Sequence, residues 1–212
     1  MRIAVIGANG NLGRRVTKQA LDRGIEVTGF IYDGESPDSR AKIIKQSLFE
    51  MNKESMKDCD AVISAYGSGF HADPTLNLNA FRKYIELCED SNVHLIAIGG
   101  AGSLYTDESH TLFCYEVPDY SKTLKEISKN IKLGIDELKK TTNFNWTAVC
   151  PSQFFDPEGN FSGFYQIGVE GHLIFNEKGR SYVTYDDLAK AMIDIAEKKL
   201  YVKQQVTIVT KE

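Results

Sequence analysis

The sequence MRIAVIGANGNLGRRVTKQALDRG occupies residues 1–24 and joins an apolar run to a glycine-rich loop. Ile3–Ile6 is typical of a buried strand, and a segment with helical spacing follows the loop. Gly7 allows a tight turn out of the strand, Gly10 lets the backbone approach a pyrophosphate, and Gly13 lets the helix pack closely on the strand. The start of such a helix offers free N–H groups and a positive dipole end to phosphates. This stretch therefore predicts a dinucleotide-binding loop.

The glycine spacing is GxxGxxG rather than the older GxGxxG pattern. Its position, directly after a strand and before a helix, makes the pattern informative. The asparagines within the loop hydrogen-bond locally and tolerate left-handed backbone angles, so they also suit a turn without a ligand. The candidate cofactor contacts in this loop are Gly7, Asn9, Gly10, Asn11, Leu12 and Gly13.

The second strand should end near Tyr32, which places Asp33 about 20 residues beyond the last glycine. An acidic side chain there would accept hydrogen bonds from the adenosine ribose hydroxyls, whereas Asp33-Gly34 is equally a good turn dipeptide. Arg14 and Arg15 begin the helix and could meet a 2′-phosphate. Tyr32 and Asp33 are therefore candidate cofactor contacts, and both NAD and NADP stay open.

Short aliphatic runs alternate along the chain with longer segments of helical spacing. The runs are near-continuous, as in parallel strands buried on both faces. They are Ile3–Ile6, Ile25–Ile31, Ile43–Leu48, Ala61–Ala65, His94–Ile98, Trp146–Cys150 and Val206–Val209. The helical segments are roughly Leu12–Arg23, Leu76–Ser91, Leu124–Thr141 and Tyr185–Lys198. This alternation predicts an α/β fold, a Rossmann-type doubly wound and mostly parallel sheet with helices on both faces.

Two long irregular segments, Gly99–Pro118 and Pro151–Arg180, follow predicted strand ends. Open α/β sheets bind their ligands at that edge. We expect residues 1–212 to form a single NAD(P)-binding domain. Roughly residues 151–185 would form a small C-terminal elaboration on the substrate side, which leaves little room for an elaborate substrate domain.

Composition excludes several classes of protein. The 212 residues are 42% hydrophobic and 25% charged, with a formal net charge of -4, which argues against a nucleic acid or an anionic membrane as partner. No apolar run approaches the roughly 18–20 residues that span a bilayer, and the N-terminus has no secretory signal pattern. The four cysteines and four histidines are scattered, so neither a disulfide framework nor a metal site is predicted. We expect a cytoplasmic monomer or homodimer with reduced thiols.

Five strings, in their order and spacing, resemble the atypical short-chain dehydrogenases/reductases. More narrowly, the chain resembles the NADH-flavin reductase family, which is related to biliverdin reductase B and to the NmrA-like NAD(P)-binding proteins. The strings are Gly7–Gly13, Asp60–Gly67, Gly99–Leu104, Pro151–Phe155 and Thr184–Ala189. The resemblance covers nearly the whole chain and implies a nicotinamide cofactor.

The resemblance also implies cofactor contacts beyond the glycine loop. Residues 65–67 would line the adenosine and ribose region, Gly100 and Ser103 would approach the nicotinamide, and residues 151–155 would close over it. The chain departs from the family at Tyr32, where relatives carry a basic residue that reads the 2′-phosphate, and at Ser47, which replaces an Asp near adenine. The implied contacts are Leu48, Ala65, Tyr66, Gly67, Gly100 and Pro151.

The usual carbonyl-reduction residues are missing from the sequence. Typical short-chain dehydrogenases pair a Tyr with a Lys four residues later, and the Lys lowers the Tyr pKa for proton exchange with the substrate. None of the ten tyrosines has a Lys at that spacing. A flavin or quinone spreads the incoming charge over its ring and collects protons from solvent, so positioning supplies much of the catalysis. The sequence therefore predicts an NAD(P)H-dependent oxidoreductase that transfers hydride to a small, planar acceptor such as a flavin.

Candidate substrate contacts are Phe154 and Phe155, whose rings could stack a flavin or could simply pack in the core. Ser103 is the candidate catalytic residue, because its hydroxyl could orient an acceptor oxygen or the nicotinamide amide; local capping of the backbone is the alternative. His71 and His110 lie in loops near the predicted ligand edge and could serve as acids.

Two other functions stay open. A non-catalytic NAD(P)-binding sensor or regulator of NmrA-like type also suits a chain without the Tyr/Lys pair. Epimerase-like or dehydratase-like chemistry on a nucleotide sugar is less favoured, since the chain is short for a full substrate domain and lacks the catalytic pair.

Overall fold

The computed structural model describes residues 1–211. Its strands are β1 (Arg2–Ile6), β2 (Glu26–Ile31), β3 (Lys42–Lys45), β4 (Ala61–Ser64), β5 (His94–Ile98), β6 (Asn145–Pro151), β7 (Phe154–Asp156), β8 (Tyr165–Gly168), β9 (Tyr182–Thr184) and β10 (Gln204–Thr210). Its helices are α1 (Asn11–Asp22), α2 (Thr75–Cys88), α3 (Lys122–Lys139) and α4 (Tyr185–Lys198). Eight strands form one sheet in the order β3-β2-β1-β4-β5-β6-β10-β8, and β7 and β9 form a separate pair.

The chain builds the main sheet outward from β1 in two directions. β1 pairs in parallel with β2 on one side and with β4 on the other. β5, β6 and β10 continue the sheet in parallel, and β8 closes its edge antiparallel to β10. The strand order reverses between β1 and β4, which is the switch point where open α/β sheets bind ligands. The predicted doubly wound, mostly parallel fold is confirmed.

Helices cover both faces because successive strand residues point to opposite sides of the sheet. Ile3 and Val5 belong to a buried cluster that includes residues of α1 and α4. Ala4 and Ile6, which alternate with them, belong to the other cluster, built with α2 and α3. β1 therefore contributes residues to both clusters, and the glycine loop follows directly after it.

The predicted helices are confirmed, with ends that differ by a few residues. The predicted strand Ile43–Leu48 is wrong at its carboxyl end, because β3 ends at Lys45. Ser47 caps a 3₁₀ turn at Leu48–Glu50, and its backbone N–H donates to the Glu50 carboxylate at 3.1 Å. This capping box ends the strand and turns the chain away from the sheet.

Three short strands lie in the part of the chain that the sequence marked as irregular or left unassigned. β7 pairs in parallel with β9, so Phe154 lies opposite Tyr182 and Phe155 opposite Val183. A strand of three residues is too short to show a period in the sequence. The pair ties residues 154–156 to the segment that enters α4.

Thr184 caps α4, and its hydroxyl accepts from the Asp187 N–H at 3.0 Å. The cysteines are free thiols, three of them buried and Cys59 half-buried. Among the helices of residues 1–211, none is both long and apolar enough to cross a bilayer.

Candidate functional site

An open cleft of about 680 Å³ lies where β1, β4, β5 and β6 reach their carboxyl ends. Its volume is in the range of sites for small molecules and cofactors. The predicted site residues that line it are Gly10, Asn11, Leu12, Ala65, Tyr66, Gly67, Gly100, Pro151, Phe154 and Phe155. The predicted site residues that do not line it are Gly7, Asn9, Gly13, Tyr32, Asp33, Leu48 and Ser103. The fold thus brings four separate segments to one edge of the sheet.

The glycine loop has the close contacts that its sequence predicts. Gly7 has a φ of 74°, in the left-handed region, and its N–H donates to the Phe30 carbonyl at 2.9 Å. A Cβ on Gly13 would lie 2.8 Å from the carbonyl carbon of Gly7 and would overlap its oxygen. A Cβ on Gly10 would come no closer than 3.3 Å to the Gly7 oxygen. Gly7 and Gly13 are therefore needed for the turn and the packing, while the bare Gly10 backbone faces the cleft.

The first turn of α1 is open to an anion. The helix begins after Gly10, which has no side chain to cap it, and the first turn contains no acidic residue. The first N–H groups of a helix have no partner within the helix, and the positive end of its dipole favours negative charge. Asn11 and Leu12 line the cleft at this point. A pyrophosphate group fits this uncapped helix start.

The end of β2 forms a turn beside the glycine loop. The Asp33 carboxylate accepts the Gly34 N–H at 2.6 Å, and Gly34 has a φ of 87°. The Asn9 side chain donates to the Asp33 carbonyl at 2.6 Å, which joins the loop to this turn. Tyr32 is 83% exposed. Asp33 is thus a turn residue, as one of the two interpretations predicts, and its side chain is exposed beside the loop.

The two arginines at the start of α1 differ in how their side chains are held. Arg15 donates to the Asp186 carboxylate at 2.9 Å and to the Pro157 carbonyl at 2.6 Å. Arg14 is exposed and donates to the Asn9 carbonyl at 3.0 Å. Arg15 therefore braces α1 against α4, and Arg14 lies on the side of the loop nearest Asp33.

The third strand contributes less to the cleft than the resemblance implies. Leu48 is buried in the core, and the structure does not place its side chain in the cleft. Its neighbour Phe49 is 40% exposed and packs its ring edge-on against Tyr66, with ring centroids 5.9 Å apart. Burial raises the pKa of Tyr66, so its phenol stays neutral. The Phe49 ring was missed in the sequence, because its exposure follows from the unpredicted 3₁₀ turn.

Ser103 lies beneath the cleft rather than in it. It is 2% exposed, and its hydroxyl donates to the Gly100 carbonyl at 2.7 Å, with the Cys150 sulfur 3.6 Å away. Burial raises the pKa of the Cys150 thiol, so that neighbour stays neutral. This arrangement corrects the expected orienting contact with the acceptor, because the hydroxyl is engaged inside the turn. Ser103 holds the turn that presents Gly100 to the cleft.

Aromatic rings form the wall beyond β6. Phe155 stacks on Tyr185 with centroids 3.6 Å apart and planes at 3°, and the Arg15 guanidinium lies 5.4 Å from the Tyr185 centroid. Phe154 is 62% exposed and stacks on Tyr182 at 5.8 Å. Phe154, Phe155 and Tyr185 line the cleft, so they offer it both ring faces and ring edges.

The opposite wall comes from residues that sequence reasoning did not select. Phe70 is 66% exposed, and Phe81 and Tyr84 of α2 reach the cleft from below. The Tyr120 hydroxyl lies 3.1 Å from the Ser128 hydroxyl, and both residues line the cleft. Tyr120 was not predicted as a site residue, because no Lys follows it four residues later. Its position just before α3, at the end of the loop after β5, is the sequence feature that could have indicated it.

The histidines considered as acids lie elsewhere. His71 and His110 do not line the cleft. His94 is 2% exposed and hydrogen-bonds through Nε2 to Thr147 at 2.8 Å, as expected of a structural residue. Burial, assisted by the charge of Lys199, lowers the pKa of His94 to about 4.

Comparison with known proteins agrees with this geometry. The family described as NAD(P)H-binding matches residues 7–199. The chain is 33% identical over 212 residues to the uncharacterized protein YwnB of Bacillus subtilis strain 168, with 99% of each chain covered. The crystal structure of a protein from Streptococcus pneumoniae TIGR4, described as a putative NADH-flavin reductase, has a TM-score of 0.92, 33% identity and full coverage of both chains. A shorter match links 50% of this chain, at 32% identity, to 42% of the dTDP-6-deoxy-L-talose 4-dehydrogenase (NAD(+)) of Aggregatibacter actinomycetemcomitans.

Proposed function

The chain belongs to the NAD(P)H-binding family, and from that premise we propose that it transfers hydride from a nicotinamide dinucleotide to a flavin or a quinone-like ring. The observation that carries the proposal is the composition of the cleft. One end is an uncapped helix start behind a glycine loop, and the other end is walled by exposed aromatic rings. The first suits a pyrophosphate and the second a flat acceptor.

Backbone groups would bind the dinucleotide in one half of the cleft. The N–H groups of Asn11 and Leu12 would bind the pyrophosphate, and the absence of a Cβ on Gly10 would let it approach. Residues 65–67 would line the adenosine side, and the turn at Gly100 would lie against the nicotinamide. When bound, the dinucleotide supplies hydride from its nicotinamide ring.

NADH is the dinucleotide that we expect to be favoured. The Asp33 carboxylate stands beside the loop, where an acid accepts hydrogen bonds from ribose hydroxyls and repels a 2′-phosphate. Of the two arginines that could contact a 2′-phosphate, Arg15 is held by Asp186 and Pro157, and Arg14 donates to the Asn9 carbonyl. The dehydrogenase from A. actinomycetemcomitans that matches half of this chain also carries NAD(+) in its name.

The acceptor half is assigned to the aromatic walls. Phe154 and Phe70 are largely exposed on either side of the cleft, so a planar ring could lie between them and over the nicotinamide. Holding two rings face to face removes much of the entropic cost of a bimolecular hydride transfer. The bound dinucleotide would supply the hydride to the acceptor ring and would itself be oxidised, and the open cleft would let protons reach the reduced ring from water. The S. pneumoniae protein is described as a putative NADH-flavin reductase, which supports this class of acceptor.

The test is a titration of the purified protein with NADH and NADPH, followed by turnover assays with FMN, FAD, riboflavin and a small quinone. We expect saturable NADH binding and acceptor reduction well above the uncatalysed rate. Binding without turnover for any of these acceptors would overturn the proposed reductase in favour of an NmrA-like sensor. Failure to bind either dinucleotide would overturn both functions.

A further inference from the structure

A group of three side chains outside the cleft has the composition of a metal site. One ligand atom each of His110, Glu170 and His172 lies within 4.8 Å of the others. The rings of His110 and His172 are 5.8 Å apart, centroid to centroid, and inclined at 42°. None of the three lines the cleft. We propose that these residues bind a zinc ion, which joins the loop after β5 to the segment after β8.

The donor set suits Zn²⁺. Two imidazole nitrogens and one carboxylate are ligands of the type that hold zinc when one position is left for water. Softer metals prefer sulfur ligands, and Mg²⁺ and Ca²⁺ prefer oxygen ligands alone. The four cysteines lie elsewhere, three of them buried, so no thiolate joins this group. A borderline cation that accepts both nitrogen and oxygen is therefore the expected occupant.

The distances require only a small closure. Zinc bonds of about 2.0–2.2 Å in a tetrahedral arrangement place neighbouring ligand atoms about 3.3 Å apart. His110 and Glu170 are exposed, so rotation of their side chains can bring the ligand atoms in from 4.8 Å. His172 borders an open groove of about 570 Å³ between residues 106–109 and 172–175, which gives an ion a path from solvent.

The two segments that supply the ligands are already held against each other. The Tyr105 N–H donates to the Gly171 carbonyl at 2.9 Å, and the Leu173 N–H donates to the Tyr105 carbonyl at 2.9 Å. The Tyr105 ring stacks on His110 with centroids 4.6 Å apart and planes at 16°. One tyrosine therefore holds the backbone beside His172 and lies against the ring of His110.

A further observation supports a bound ion at this group. The Nδ1 atom of His172 is buried and has no hydrogen-bond partner among residues 1–211, which is an unfavourable state for a ring nitrogen. A metal bond to that nitrogen would remove the penalty.

No sequence motif indicates this group of ligands. His110 and His172 are far apart in the chain, and no short motif joins them. The expectation that the histidines are unpaired is wrong for these two, because the pairing of Tyr105 with the 171–173 segment brings them together.

The experiment is calorimetric titration of the reduced full-length protein with ZnCl₂, repeated with Co²⁺ to record its visible absorption. We expect one equivalent of Zn²⁺ at low-micromolar affinity or tighter, and a Co²⁺ spectrum typical of four or five nitrogen and oxygen ligands. His110→Ala and Glu170→Gln should each weaken binding at least tenfold. Glu170→Gln preserves size and exposure, so it reports on the ligand even if a histidine variant folds poorly.

His71→Ala is the matched control, because His71 is an exposed loop histidine outside the group. It should bind Zn²⁺ as the unaltered protein does. The proposal is overturned if the unaltered protein takes up no Zn²⁺, or if His110→Ala and Glu170→Gln bind it with unchanged affinity. A Co²⁺ spectrum dominated by thiolate charge transfer would also overturn it, since it would place the metal on a cysteine.

Discussion

Gly10 and Gly13 belong to one loop, yet a side chain would meet different surroundings at each position. A Cβ on Gly13 would overlap the Gly7 carbonyl, whereas one on Gly10 would lie 3.3 Å from the Gly7 oxygen. Gly13→Ala should therefore lower the free energy of unfolding by more than about 2 kcal/mol, measured by urea denaturation. Gly10→Val should unfold within about 1 kcal/mol of the unaltered protein, because apart from its chain neighbours the Cβ would meet only the Gly7 oxygen among residues 1–211. Equal stability losses for the two variants would contradict this division of roles.

Asp33 decides the dinucleotide preference in this account. Asp33→Ala should weaken NADH binding roughly tenfold, the scale of one or two hydrogen bonds to a charged acceptor, and leave NADPH binding equal or stronger. Fluorescence titration with both dinucleotides measures the ratio. Asp58→Ala removes an exposed carboxylate before β4, near the opposite edge of the sheet, and should leave the ratio unchanged. An unchanged ratio in Asp33→Ala would limit Asp33 to its turn.

His94 makes stability depend on pH. Thr147 has one hydroxyl proton, which it donates to the carbonyls of residues 200 and 201, so its oxygen accepts from Nε2 of His94. Nδ1 is then unprotonated and buried without a partner among residues 1–211. The pKa of about 4 lies below the ordinary 6.5, so the unfolded chain binds this proton more readily than the folded one.

The stability that His94 contributes is fully present above pH 6.5 and is lost as the pH falls towards 4, by up to about 3 kcal/mol. Urea denaturation at several values across this range measures it. His94→Gln keeps a donor for Thr147 and cannot be protonated, so its stability should vary less between pH 6.5 and 4.5. Identical pH profiles for the two proteins would assign the acid sensitivity to other groups.

Site residues that act through their backbone could be predicted from the sequence, whereas those that act through the direction of a side chain could not. Gly7, Gly10 and Gly13 were identified because their chemistry lies in a missing Cβ, which the sequence states directly. Ser103 was placed in the site because its string resembles the family, yet its hydroxyl points into the turn at Gly100. The direction of a short side chain depends on backbone dihedral angles, and these cannot be read from the amino-acid sequence.

At the level of elements, α2 and α3 meet at one glycine. A Cβ on Gly134 would lie 2.5 Å from Cγ of Phe81, whose ring also lines the cleft. Gly134→Ala gains about 1 kcal/mol in helix propensity but overpacks this contact, at a cost of about 1–3 kcal/mol. We expect a net loss of stability and weaker acceptor binding, because Phe81 must move.

Lys129→Ala provides the comparison, since Lys129 is exposed on the same helix. Its unfolding free energy should change by less than about 0.5 kcal/mol. Thermal denaturation and acceptor titration of both variants measure the difference. If Gly134→Ala were as stable as the unaltered protein and bound acceptor equally well, the two helices would have to pack less tightly than the structure shows.

The elements themselves were predictable where burial imposes a pattern. Parallel strands buried on both faces read as continuous apolar runs, so the central strands and the four helices emerged from the sequence. β7 and β9 did not, because three residues cannot show a period. The apolar run predicts a strand up to Leu48, but the strand ends at Lys45 because Ser47 forms a capping box with Glu50.

At the scale of the whole molecule, the sheet order places four loops around one cleft. In the proposed function, the glycine loop and the 65–67 segment would bind the dinucleotide, while the segments after β5 and β6 would lie against the nicotinamide and the acceptor. The antiparallel β8 closes the far edge of the sheet and leads into the proposed zinc site. The cleft and the metal group are thus spatially distinct parts of one architecture.

The steady-state rate of NADH oxidation with riboflavin as acceptor, compared between the unaltered protein and Gly10→Val, tests the central claim most directly. We predict turnover well above the uncatalysed reaction for the unaltered protein. Gly10→Val should lose at least a hundredfold in kcat/KM for NADH, although it remains folded. Turnover that survives Gly10→Val, or that never exceeds background in the unaltered protein, would contradict hydride transfer at this cleft.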